Sequence, residues 1–78
     1  MKELDTVILL RDLTEYGLVR GDVGTVVNLH ANGTAFEVEF ITPGGRTIAV
    51  VTLELGDVRE PVGDEVLHAR RATSVRRP

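Results

Sequence analysis

Between Ala35 and Ile41 the chain reads Ala-Phe-Glu-Val-Glu-Phe-Ile. Successive side chains of a strand point to opposite faces, so this alternation puts Phe36, Val38 and Phe40 on one side and Glu37 and Glu39 on the other. A helix would scatter the same residues around its axis. The segment therefore calls for a sheet with one buried and one wetted face, and the remaining segments must supply its neighbours. Just before it, Ala31-Asn32-Gly33-Thr34 carries an Asn-Gly pair, which suits the positive φ angles of a type I′ hairpin turn.

Further strand signals recur with turn signals between them, the pattern of an all-β barrel or sandwich. Asp5 to Leu10 is short, apolar and β-branched and reads as a strand buried on both sides. Arg11 to Asp22 is a long connection holding Gly17 and Gly21, and Val23 to His30 is the second strand, with Gly24 as a bend point. After the Thr42–Arg46 turn, Thr47 to Leu53 forms a fourth strand. Glu54 to Asp57 suits a single 3-10 turn, and Val58 to Glu60 a brief fifth strand stopped by Pro61. The order of strand, long loop, three hairpin-linked strands, 3-10 turn and short strand is that of a five-stranded SH3-like barrel. The expected core is Val7, Leu9, Val27, Phe36, Val38, Phe40, Ile48 and Val50.

The chain has 78 residues, room for one domain only: a barrel over 1–60 and a tail over 61–78. A core of this size is modest, and without cysteine neither disulfides nor thiolate metal sites reinforce it. No apolar run reaches the roughly 20 residues that span a bilayer, and acids stand where a leader peptide would be basic. These features point to a cytoplasmic protein with no membrane association. The tail is short and polar, with Asp64 placed to cap a short helix and Arg70 and Arg71 near its end; a lone helix of that length is marginal in water, so a short helix or a disordered end is expected. Charge is uneven: residues 1–60 carry ten acids and five bases, residues 61–78 two acids and four arginines, for a net −3.

Glu3-Leu4-Asp5-Thr6-Val7, Arg20-Gly21-Asp22-Val23-Gly24-Thr25-Val26-Val27, Phe36-Glu37-Val38-Glu39-Phe40 and Ala49-Val50-Val51-Thr52-Leu53 together carry a likeness. The chain resembles, from residue 3 to about residue 60, a bacterial family of short proteins known as a domain of unknown function, four-nine-two-six in that series. The resemblance implies an SH3-like fold and transfers no activity and no site residue. The tail lies outside it.

Candidate sites weigh little towards chemistry. The glycines of Gly21-Asp22-Val23-Gly24 precede a strand, whereas a phosphate cradle follows one and opens a helix; a tight turn accounts for them better. His30 and His68 are the two histidines, too few for a zinc site without cysteine. Carboxylates at Asp12, Glu15 and Asp22 in the long loop, and at Glu37 and Glu39 on one strand face, need a pocket to do acid–base work, and a domain this small has little interior to shape one. There is no cysteine nucleophile, and the one serine, Ser74, has no base near it. A non-catalytic protein with no cofactor follows. Tyr16 is the sole tyrosine; it anchors a protein contact or packs its loop on the barrel, and one aromatic cannot form a proline-peptide groove or a methyl-lysine cage.

Arg70, Arg71, Arg76 and Arg77 suggest nucleic acid, yet the acidic body opposes phosphate and no exposed aromatics offer stacking. The expected function is a protein-binding module, an adaptor, assembly or subunit-like barrel. Its partner has a basic surface and meets Asp12, Glu15, Tyr16, Asp22, Glu37 and Glu39. The alternatives are an antitoxin-like inhibitor of a protein partner and a nucleic-acid accessory module using the tail; self-association stays open.

Overall fold

The computed structural model describes residues 1–30 and 32–72. Five antiparallel strands, β1 (Thr6–Leu9), β2 (Val23–Leu29), β3 (Ala35–Ile41), β4 (Thr47–Glu54) and β5 (Val58–Arg59), form one curled sheet in the order β4-β3-β2-β1-β5. The only helices among the described residues are two 3-10 turns, η1 (Thr14–Tyr16) in the long loop and η2 (Leu55–Asp57) before β5. The expected strand succession is thus observed, and β4 and β5 are the sheet's two edges. No helix among the described residues is long and apolar enough to cross a membrane.

The alternation of β3 sets the inside of the curl. Phe36, Val38 and Phe40 are buried there with Val7 and Leu9 of β1, Val26 of β2, Val51 and Leu53 of β4 and Val58 of β5. The long loop contributes as well. Leu13 and Leu18 exchange backbone hydrogen bonds at 2.9 and 3.1 Å, closing the loop around η1 and Gly17 and driving both leucines into the core. Gly17 takes the left-handed conformation (φ 72°) that ends η1.

Three core expectations are corrected. Val27 and Val50 are exposed, and Ile48 is only partly buried against the core. Two bulges explain this. On β2 the register steps from Val26↔Val38 to Asn28↔Glu37, leaving Val27 as the extra residue. On the β3–β4 ladder it steps from Phe40↔Ala49 to Ile41↔Thr47, leaving Ile48 as the extra residue. Each bulge switches which parity faces inward, so Val51 and Leu53 are buried and Val50 points out.

Gly24 faces inward beneath β3. A methyl group on it would lie 2.5 Å from Val38 Cγ1 and 2.8 Å from Phe40 Cε2, so its role is close approach of β2 to those side chains.

The Asn-Gly turn is also corrected. Only Gly33 has positive φ (76°), while Asn32 uses its side-chain oxygen to accept the Thr34 N–H at 3.1 Å. The hairpin closes through His30 N–H to Ala35 O at 3.0 Å, a loop longer than a two-residue turn.

Over residues 61–72 the tail has one turn, at Gly63 and Asp64, otherwise irregular backbone, and no helix. Glu65 turns back to accept the Val62 N–H at 2.7 Å and binds Arg59, which ties the first part of the tail to β5 instead of starting a helix at Asp64. Ser74, Arg76 and Arg77 lie outside the described residues.

Candidate functional site

The strand registers place the outward residues in rows across the sheet. One row runs Arg59, Ile8, Val23. The next runs Thr6, Thr25, Glu39, Val50, and a third Asn28, Glu37, Thr52. These rows have different fates, and the tail decides them.

The tail lies over the first row. Ile8 points away from the core, between Val7 and Leu9, yet it is 8% exposed. A cavity of about 170 Å³ separates Ile8, Val23 and Arg59 from tail residues Glu65 to His68. His68 rests on Gly21, where an added methyl would meet its ring at 3.3 Å; that glycine also has φ 95°, so the turn and the contact both favour it.

The tail ends its described course at Asp22, the one buried charged side chain among the described residues. Asp22 accepts the Val19 N–H at 2.9 Å, which holds its carboxylate in place at the entry to β2. Arg70 donates from Nε to Asp22 Oδ1 at 2.8 Å and from Nη2 to Oδ2, and Nη2 also reaches Gly17 O at 3.0 Å. His68 Nε2 lies 3.0 Å from Oδ1. Burial pushes the Asp22 carboxyl up, but the bonds from Arg70, Val19 and His68 outweigh it and hold the pKa below the usual carboxylate value. Beside Arg70 a second cavity, about 310 Å³, is walled by Leu18, Phe40, Pro43 and Ile48 of the barrel and by Ala69 and Ala72 of the tail.

The other two rows are not covered by the tail. Glu37 and Glu39 project from adjacent outward positions of β3, as the alternation requires. Glu39 accepts the Thr47 hydroxyl at 3.0 Å, and Glu37 lies 3.9 Å from His30 Nε2. The remaining expected site residues sit apart from them in the long loop. Asp12 accepts the Arg20 N–H at 2.8 Å, Glu15 is exposed on η1, and Tyr16 is 37% exposed beside it.

The structure therefore separates the expected acids into an open pair on β3, a loop group and a buried, occupied Asp22. The partnership of Asp22 with Arg70 was not legible in the chain, although an acid between two glycines and a strand hinted at a constrained carboxylate. Among the described residues, no three of His, Asp and Glu gather where they would hold a metal ion.

Fold and site together define a small all-β domain with an acidic outer face and a tail segment, up to Ala72, docked on the sheet. The chain belongs to the family described as Domain of unknown function (DUF4926), which matches residues 3–60. The match ends before the tail, so the receiving side of the Asp22 cluster lies within the family region and Arg70 and His68 lie beyond it. No match was found among curated proteins or among solved structures.

Proposed function

We propose that this protein is a non-catalytic protein-binding module, an adaptor or subunit-like barrel of the SH3-like kind, working in the bacterial cytoplasm on a partner with a basic surface. One observation carries the reading: the uncovered outer face centres on two glutamates that no lysine or arginine pairs among the described residues. Asp5, Asp22, Asp57 and Glu65 each have a cationic partner, Lys2, Arg70, Arg11 and Arg59 respectively. Glu37 and Glu39 instead stand beside Thr25, Thr52 and Val50, the last 51% exposed. An acidic centre with an apolar and hydroxyl-bearing surround suits a basic protein surface and repels nucleic-acid backbone. Of the tail's arginines, Arg70 is not free for a phosphate, since its guanidinium is committed to Asp22.

The test is recovery of partners from cells with tagged wild-type chain and with Glu37→Lys plus Glu39→Lys, followed by binding kinetics on what the wild type retains. The double variant should associate roughly tenfold more slowly at low salt, with the difference shrinking as salt rises. Equal kinetics for the two chains would sink the reading. An inhibitor and an adaptor are told apart by whether the recovered partner loses its activity in the complex.

A further inference from the structure

The Asp22 cluster joins acceptors within the family region to donors of the tail. The acceptors Asp22 and Gly17 O, and the Val19 N–H that orients the carboxylate, all lie within residues 3–60. The guanidinium that fills it comes from an irregular segment beyond that region. The barrel thus carries a carboxylate oriented by the Val19 N–H, and the separate segment that supplies its cation also covers it, leaving Asp22 7% exposed. Three acceptor atoms surround one guanidinium: Oδ1, Oδ2 and Gly17 O. A planar fork satisfies all three at fixed angles, and a lysine ammonium does not.

We propose that Asp22 and the Gly17 carbonyl form an arginine-recognition site for a basic segment of a protein partner, with Arg70 as a tethered competitor that fills it in the free chain. The proposal rests on the reading of this domain as a module for basic proteins and gives that reading a second, separate point of contact. The cavity beside Arg70 says how a partner overcomes the tether. Among the described residues the tail passes it with Ala69 and Ala72, and a space of about 310 Å³ lies against Leu18, Phe40, Pro43 and Ile48. A larger apolar side chain two residues after the partner's arginine fills that space. Burying it raises affinity about tenfold to a hundredfold over the alanine version. The occupant is therefore an Arg-x-apolar segment, with histidine two residues before the arginine adding the contact that His68 makes.

The experiment uses the full-length chain, isotope-labelled for NMR, with Arg70→Ala to vacate the site. The probe is a synthetic peptide of tail residues 66–72 carrying Ala72→Leu. It should bind the variant with amide shifts centred on Gly17, Val19 and Asp22, and bind wild type at least about tenfold more weakly because the tether competes. The same peptide with lysine at the arginine position should lose about tenfold or more. Equal binding of the arginine and lysine peptides, or no binding to a folded variant, overturns the proposal. A wild-type chain that is dimeric and becomes monomeric with Arg70→Ala also overturns it, by assigning the pocket to a second copy's tail. If Arg70→Ala unfolds the chain, the peptide is titrated against wild type, and release of the Arg70 Nε–H signal from its bound position is the expected result. Neither measurement involves Glu37 or Glu39, so failure here leaves the acidic-face reading standing.

Discussion

Arg70 and Asp22 are 48 residues apart in the chain and joined by a two-pronged hydrogen bond, Nε to Oδ1 at 2.8 Å and Nη2 to Oδ2. The carboxylate is inside the domain and the guanidinium is on the tail, so this contact decides where the tail lies. Removing either side tests how much of the fold depends on it. Arg70→Ala should cost on the order of 1–2 kcal/mol in urea unfolding, because Asp22 is left without its cation yet regains water as the tail lifts. Asp22→Asn should cost at least as much, since the amide keeps one acceptor and turns its NH2 towards the donors that the other oxygen served. A double-mutant cycle on the pair should show coupling; additive losses would contradict a direct interaction.

Acid should release the tail before it unfolds the sheet. The Glu65 carboxyl is held down by the Arg59 guanidinium and the Val62 N–H, from the usual 4.5 to about 2. The Asp22 carboxyl is also lowered. A carboxylate with a lowered folded-state pKa contributes stability that is fully present above its ordinary value and lost as pH falls through the folded-state value. The Glu65 and Arg59 resonances should therefore move to random-coil positions as pH falls from 4.5 to about 2. Loss of the Arg59–Glu65 contact as pH rises, with none as it falls, would show that the sign is wrong.

Gly24 should tolerate no side chain. Gly24→Ala puts a methyl 2.5 Å from Val38 Cγ1 and 2.8 Å from Phe40, and overpacking of this kind costs about 1–3 kcal/mol or more. Gly56→Ala meets nothing within 4 Å and has no positive φ, so its melting temperature should match the parent's. Gly33→Ala has space but φ 76°, and should fall between the two. The order of the three melts is the measurement.

Phe40 and Val50 should behave oppositely although each belongs to a strand rich in apolar residues. Phe40 is 3% exposed, and Phe40→Ala should cost about 3–5 kcal/mol, enough to unfold much of a domain this small. Val50 is on the outer face, and Val50→Thr should change stability by no more than about 0.5 kcal/mol. Similar losses at both positions would reverse the assigned facing of β4.

The chain's local patterns determined which segments are strands, and strand β3 with its two faces could be read in full from the alternation of Phe36 to Phe40. The outward placement of Glu37 and Glu39 follows from the same period. Local pattern does not say which parity of a nearly all-apolar strand faces in. Val23-Gly24-Thr25-Val26-Val27 offers valines on both parities and puts a glycine at an inward position, and Thr47 to Leu53 has the same ambiguity. The bulges at Val27 and Ile48 exist because the ladders must curl around Phe36, Val38 and Phe40, and that demand comes from strands distant in sequence. The tail's course was decided the same way. Within its own residues the choice lay between a marginal helix and disorder. Docking against Arg59, Gly21 and Asp22 supplied hydrogen bonds and burial that neither offers, and those groups lie on other elements that only the assembled sheet brings within reach.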